Sequence, residues 1–296
     1  MIEQYNQQFL IEGHIHFEVG QGGLAKAVIR NSVAQAEVYL QGAHVTSFQP
    51  IGSEPVLWLS EDSLFQAGKA IRGGIPVIWP WFGPHPTEET KPQHGFARIM
   101  SWSIREARAL SQGETLLRLG LSSSTETRAI WPQDFDLTLD ITVGVALTVA
   151  LTAHNQGRES IEVSGALHTY FRVDDVGYIQ VEGLESRSYL DKVTGYNRKH
   201  QVGPILIDQE VDRIYLETED ECQIVDPLMK RQIHIDKAGS CSTVVWNPWQ
   251  ERAQQMSDFP DDGYKTMVCV ETANAAEDVR QIEPGEGHTL MQKISV

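Results

Sequence analysis

Two stretches of this chain end apolar runs in groups that can move protons. Gly165-Ala-Leu-His168-Thr-Tyr170-Phe171 closes a strand-like pattern on a histidine followed at once by aromatics. An imidazole, with an ordinary pKa of about 6.5, can act as acid or base at neutral pH. Met267-Val-Cys-Val-Glu271-Thr ends a second apolar run in a carboxylate. A glutamate with such neighbours is paired, exposed or functional, because burying an unsupported charge is costly. Taken alone, either residue reads equally well as structural. Together, His168 and Glu271 would supply one acid and one base.

The segment Ile71–Arg98 offers a place for them to work. It is too rich in proline for a helix and too irregular for a strand. Gly73-Gly74 and the prolines at 80, 84 and 86 would fix a winding backbone that holds Trp79, Trp81 and Phe82 as flat surfaces. Arg72 opens the segment, and Gln93, His94 and Arg98 close it. One reading is a surface loop around a private aromatic cluster. The other is a pocket wall for a small polar, anionic ligand, with two guanidiniums to hold the anion. Trp246 and Trp249 add another aromatic pair, as a sugar surface or as core. Asp212 could accept hydrogen bonds from ligand hydroxyls, or serve a turn or a cap.

Other chemistries lack their residues. There is no GxGxxG after a strand, no GxxxxGK[ST] and no GxSxG. His14 and His16 would share one side of a strand, faintly like a metal-binding pattern, but no further ligand stands at a supportive spacing. They read as a surface strand, and His44 as a satisfied structural histidine. No metal and no cofactor is expected.

The elements that must position these groups are strands. Period-two alternation marks the run from Ala36 to Pro50, then Thr115–Ser122, and the runs either side of Gly144, which form a hairpin signal. Short runs at Val56–Leu59, Ser160–Leu167, Tyr178–Glu182, Gln223–Val225, Gln232–Asp236, Ser242–Trp246, Met267–Glu271 and His288–Ile294 continue the pattern. Helical periodicity is weak, with one short turn near Glu251–Asp258. No repeat, linker or βαβ alternation divides the 296 residues. The expectation is one all-β domain, residues 1–296, of stacked antiparallel sheets. With 40 acidic against 24 basic residues, the net charge of −16 opposes binding to nucleic acid or an anionic membrane surface. Any anionic substrate must then be held by a few local arginines. No run reaches the ~20 apolar residues of a membrane span, and no signal peptide is visible. Three scattered cysteines fit reduced thiols in the cytoplasm.

At these positions the chain resembles the hexose-6-phosphate mutarotases, also called glucose-6-phosphate 1-epimerases, of the galactose-mutarotase-like superfamily. The resemblance rests on Arg72-Gly-Gly-Ile-Pro, Trp79-Pro-Trp-Phe-Gly83, Gln93-His-Gly-Phe-Ala-Arg98, His168-Thr-Tyr-Phe171, Asp212-Arg-Ile-Tyr215, Val245-Trp-Asn-Pro-Trp249 and Val270-Glu271. Each motif is weak alone; in this order they form a specific set, covering the chain from about residue 20 to its end. Ile78 departs from the family, where a cysteine would be usual, and so does Thr272-Ala273 after the glutamate. The resemblance implies an antiparallel β-supersandwich and interconversion of the α and β anomers of an aldohexose 6-phosphate. It implies His168 and Glu271 as the catalytic pair, with Arg72, Gln93, Arg98 and Asp212 binding a small-molecule sugar phosphate; His94, closing the same segment, is expected to bind it with them. A monomer is expected. The alternatives are an aldose 1-epimerase on free hexoses, which would continue His-Thr-Tyr-Phe with Asn-Leu where Arg172-Val173 stands here, and a non-catalytic sugar-phosphate binder. A lyase or hydrolase on a related supersandwich is a further one.

Overall fold

A computed structural model describes residues 1–296. Antiparallel strands dominate, as the alternation predicts. Phe135–Val143 and Leu147–Asn155 form the hairpin around Gly144, each burying every second side chain. They lie inside an eight-stranded sheet that runs from Gln180–Glu182 at one edge to Ser103–Ala109 at the other. A second eight-stranded sheet carries the Met267–Asn274 strand between Ser242–Asn247 on one side and Gly165–Leu167 with Tyr170–Arg172 on the other. A four-stranded meander, Ile15–Val19 to His44–Pro50, completes the stack. A two-stranded pair, Ile161–Val163 with Arg280–Ile282, joins them, and the main apolar cluster draws on residues from Ile15 to Ile294, so the sheets close over one core.

Met267–Asn274 is buried at all eight positions. Alternation disappears there because both faces of a central strand are covered. Its apolar run therefore ends in a glutamate that has no solvent face to turn to. That strand positions the chemistry.

Several expectations shift. The chain starts with an unforeseen helix, Ile2–Phe9, whose Tyr5 and Phe9 pack on Phe17. Asn6 makes two 2.8 Å hydrogen bonds with the Phe17 backbone, replacing a strand neighbour. The helical turn placed near Glu251–Asp258 is Trp249–Ala253. Val56–Leu59 makes only isolated bridges, to Phe171 and Gly73, because it crosses the edge of the sheet. Val211–Leu216 is a full strand, which removes the turn or cap reading of Asp212. No helix is long and apolar enough to cross a membrane.

Candidate active site

Register brings the proton-moving groups together. Leu167 pairs with Thr272 and Tyr170 with Cys269, in one continuous register. His168 consequently stands across from Glu271, and cross-strand neighbours on one face touch. His168 Nε2 lies 3.3 Å from Glu271 Oε1. The ladder is interrupted at this point, where the His168 N–H donates instead to Pro76 O at 3.0 Å. Thr169 points the other way, into the space between the sheets. There Gln292, from the opposite sheet, bonds Thr169 Oγ1, Val270 O and Thr272 Oγ1. A fully buried amide thus clasps the residues beside both His168 and Glu271.

This pair forms the floor of a cavity of about 430 Å³, within the usual range for small-ligand sites. Arg72, Gln93, His94, Arg98, His168, Asp212 and Glu271 all line it, so the structure gathers every residue singled out as catalytic or substrate-binding. The segment Ile71–Arg98 folds around it with local constraints that are readable. Gly74 is at φ +60, and a Cβ there would fall 2.1 Å from Val45 O. Gly95, at φ +68, would place one 2.0 Å from Trp79 O. Only glycine fits such approaches. His94 takes φ 65 without that excuse; two hydrogen bonds with Gly83 hold it, its N–H donating to Gly83 O and its Nδ1 accepting from Gly83 N. That fixes the remaining proton on Nε2. His44 is buried as expected, its Nε2 donating to Gly73 O at 2.7 Å, and burial drops its pKa to about 4.

The aromatic wall is a correction. Trp79 and Trp81 are buried, packed on Phe96 and away from the cavity. They form the private aromatic cluster that was the alternative reading, because large rings on a rigid loop gain most by entering the core. The rings that face the cavity are Phe82 and Trp246, while Trp249 packs on Tyr264. Arg72 is a second correction of degree. Its guanidinium already grips Asp258 with two bonds at 3.2 Å and the Tyr170 hydroxyl at 3.0 Å. Arg98 donates only to Gln93 O, at 2.8 Å. Lys192 pairs with Asp212 at 2.7 Å.

Electrostatics separate the groups. Burial pushes Glu271 well above the ordinary carboxyl range, against the pull of Lys192. Burial, then the charges of Arg98 and Arg72, holds His168 well below the ordinary imidazole value. His94 is lowered by burial and then by Arg98. Burial raises Asp212 despite Lys192. Arg98 falls to about 10 through burial, with Arg72 beside it. Arg72 stays above its ordinary value; burial opposes its charge, but Tyr170 and Asp258 outweigh that. Three buried atoms, His168 Nδ1, Glu271 Oε2 and Asp212 Oδ1, have no hydrogen-bond partner within the protein. Unsatisfied polar atoms cost free energy, and their concentration in one cavity marks where a hydroxylated ligand would bond.

Lys192, Arg252 and Gln292 were not anticipated; no motif or periodicity marks them. Cys269 could have been placed, since positions i and i+2 of one strand share a face. A cluster of His168, Cys269 and Glu271 has ligand atoms all within 4.8 Å of one another, against the expectation that no such group converges here. His14 and His16 are not part of one: His14 bonds Thr115 and His16 meets Glu18.

The stacked antiparallel sheets form a galactose-mutarotase-like fold, with an imidazole and a carboxylate on the cavity floor. The Aldose 1-epimerase family matches residues 26–295. A protein of Escherichia coli (strain K12), provisionally named glucose-6-phosphate 1-epimerase, is 39% identical over 272 residues, covering 91% of this chain and 89% of that one. A crystal structure of a provisionally assigned mutarotase from Salmonella typhimurium superimposes with a TM-score of 0.91 at 34% identity, over 97% of this chain and 95% of that one. A galactose mutarotase-like protein from Clostridium acetobutylicum, at 13% identity and TM-score 0.74 over 95% and 97% of the two chains, shares the fold. The chain belongs to the aldose 1-epimerase family.

Proposed function

We propose that the protein interconverts the α and β anomers of an aldohexose 6-phosphate, with His168 and Glu271 as its acid–base pair. The observation that carries this reading is the 3.3 Å approach of His168 Nε2 to Glu271 Oε1, on the floor of a cavity walled by arginines. Glu271 takes the proton of the anomeric O1 hydroxyl while His168 protonates the ring O5. The C1–O5 bond breaks to give an aldehyde, which turns about C1–C2. It recloses on its other face with both transfers reversed. One acid and one base suffice for this chemistry.

With the cavity empty, burial favours the protonated form of Glu271 and the neutral form of His168. The two arginines are the charges that depress His168 after burial. A phosphate dianion seated against them neutralises that field and raises the proton affinity of His168, while the sugar hydroxyl bonds the Glu271 carboxylate. Substrate thus moves the proton to where O5 protonation needs it. Phe82 and Trp246 supply the ring-stacking surfaces, and Asp212, Gln93 and His94 bond hydroxyls. Gln292 reaches the floor from the opposite eight-stranded sheet, so we take residues 1–296 to work as one domain.

Exchange spectroscopy between the anomeric protons of glucose 6-phosphate tests the reading. Exchange accelerated by protein supports it; binding without acceleration leaves a sugar-phosphate binder. The occupied guanidinium of Arg72 favours one second reading, activity on unphosphorylated hexoses. Equal acceleration of glucose and glucose 6-phosphate would establish that one instead.

A further inference from the structure

We propose that His168, Cys269 and Glu271 form a binding site for a thiophilic divalent cation such as Zn²⁺, which blocks the cavity floor reversibly. Cys269 and Glu271 are two apart on one extended strand and share a face; His168 stands across from Glu271 at the break between two short strands. Their ligand atoms all lie within 4.8 Å of one another. Zinc bonds N and O at about 2.0–2.1 Å in a tetrahedron, which sets neighbouring ligand atoms roughly 3.3 Å apart. The His168–Glu271 separation is already 3.3 Å.

Charge balance favours the same occupant. On binding, the Cys269 thiol loses its proton to solvent and Glu271 ligates as the carboxylate. Thiolate and carboxylate then cancel the charge of the ion, while imidazole stays neutral, so the closed site carries no net charge into a buried floor. Glu271 Oε2, buried and unpartnered, supplies an independent sign that this floor lacks a ligand. A thiol, an imidazole and a carboxylate select a borderline-soft ion over Mg²⁺ or Ca²⁺, which take oxygen ligands.

His168 Nδ1 has no acceptor behind it, whereas dedicated metal sites anchor that second ring nitrogen. The site is accordingly a reversible brake. Bound metal occupies the lone pairs that proton transfer needs, so it inhibits the activity proposed above, on which this consequence rests; the metal site itself does not.

The test begins with Co²⁺ added to the folded wild-type protein without sugar, reading the thiolate-to-cobalt charge-transfer absorption. Expected is a band that Zn²⁺ abolishes by displacement and that is absent in Cys269→Ser and Cys269→Ala. Mutarotation assays in buffered free Zn²⁺ then give the ratio of inhibited to uninhibited rate in each protein. Losing one first ligand should raise the Zn²⁺ concentration for half-inhibition by about tenfold or more, and EDTA should restore the wild-type rate. No thiolate band in the wild type overturns the proposal, whatever the variants do. Inhibition of equal strength in wild type and both Cys269 variants also overturns it, placing the cation elsewhere. A band without any mutarotation would sink the function proposed above and leave the metal site standing.

Discussion

The floor and the wall of the cavity are built on opposite principles. The floor consists of His168, at the break between two short strands, and Glu271 on the strand facing it, each largely enclosed and with an unpartnered polar atom. The wall consists of long cations whose charges are largely answered: Arg72 by Asp258 and Tyr170, Lys192 by Asp212. Floor groups are left reactive at a cost in stability, and the sheet and Gln292 hold them in place. The wall cations sit on loops, turns and short helices and need partners to hold their shape. Arg98, with one backbone carbonyl, and Arg252, with the Gln255 amide, are the exceptions. They are the wall cations freest to meet an anion.

The largest effect should come from the floor. Glu271→Gln keeps shape but cannot take the O1 proton, and His168→Asn loses the titratable ring. Each should lower kcat by ~10²–10⁴-fold with substrate affinity nearly kept. The double variant should be little worse than the worse single one, because ring opening needs both transfers. The rate profile against pH should be bell-shaped, with its two limbs belonging to the coupled pair rather than to one residue each. A folded single variant turning over near the wild-type rate removes that residue from the floor.

Next, the two arginines divide the wall. Hydrogen bonds to charged groups contribute roughly 1.5–3 kcal/mol, so Arg98→Ala should cut kcat/KM on glucose 6-phosphate by about one to two decades, with little change on glucose. Arg72→Ala should do the same and also lower folding stability, because it strips the partner from a mostly buried Asp258. Chemical denaturation of both variants checks the difference. Equal stability losses would erase the distinction between a held and a free arginine.

A smaller effect tests how the floor is braced. Gln292→Leu leaves Thr169 Oγ1, Val270 O and Thr272 Oγ1 without their partner. It should lower kcat about tenfold, with KM nearly constant, since small misplacements of reacting groups are costly. Gln292→Glu, which keeps length and an acceptor, should recover part of that loss. A variant that loses stability but keeps kcat would make Gln292 a core residue only.

How much of this could be read from the chain follows the same division. Strand periodicity marked most of both large sheets, and the apolar runs ending in His168 and Glu271 exposed the floor, because a buried strand has no other place for a titratable group. The Ile71–Arg98 segment announced Arg72, Gln93, His94 and Arg98. It could not say that Trp79 and Trp81 turn inward, since glycine and proline fix a path without fixing which side faces the core. Lys192, Asp258 and Gln292 stayed hidden: each acts on a partner at least 20 positions away, as in Lys192–Asp212, and local spacing carries no such information. The short strands Ser188–Asp191 and Asn197–His200 were missed because the second is exposed throughout and has no apolar face.

The subtlest prediction is in folding stability, and its sign separates the two floor residues. Glu271 binds its proton more tightly folded than unfolded. The folded chain then holds more protons, so stability falls as pH climbs from the ordinary carboxyl range toward the folded value. His168 binds its proton less tightly folded than unfolded. Its contribution rises with pH up to about 6.5, the ordinary imidazole value, and is constant above. Where the two windows overlap, the two residues oppose each other. Each tenfold change in proton affinity corresponds to about 1.4 kcal/mol. Glu271→Gln should therefore be more stable than wild type, by a margin that widens as pH rises out of the ordinary carboxyl range. His168→Asn should show a margin that is greatest at low pH and gone above about 6.5. Urea unfolding at several pH values measures both. If the Glu271→Gln margin shrinks with rising pH, the carboxyl is not held protonated by burial, and the floor is no more strained than the wall.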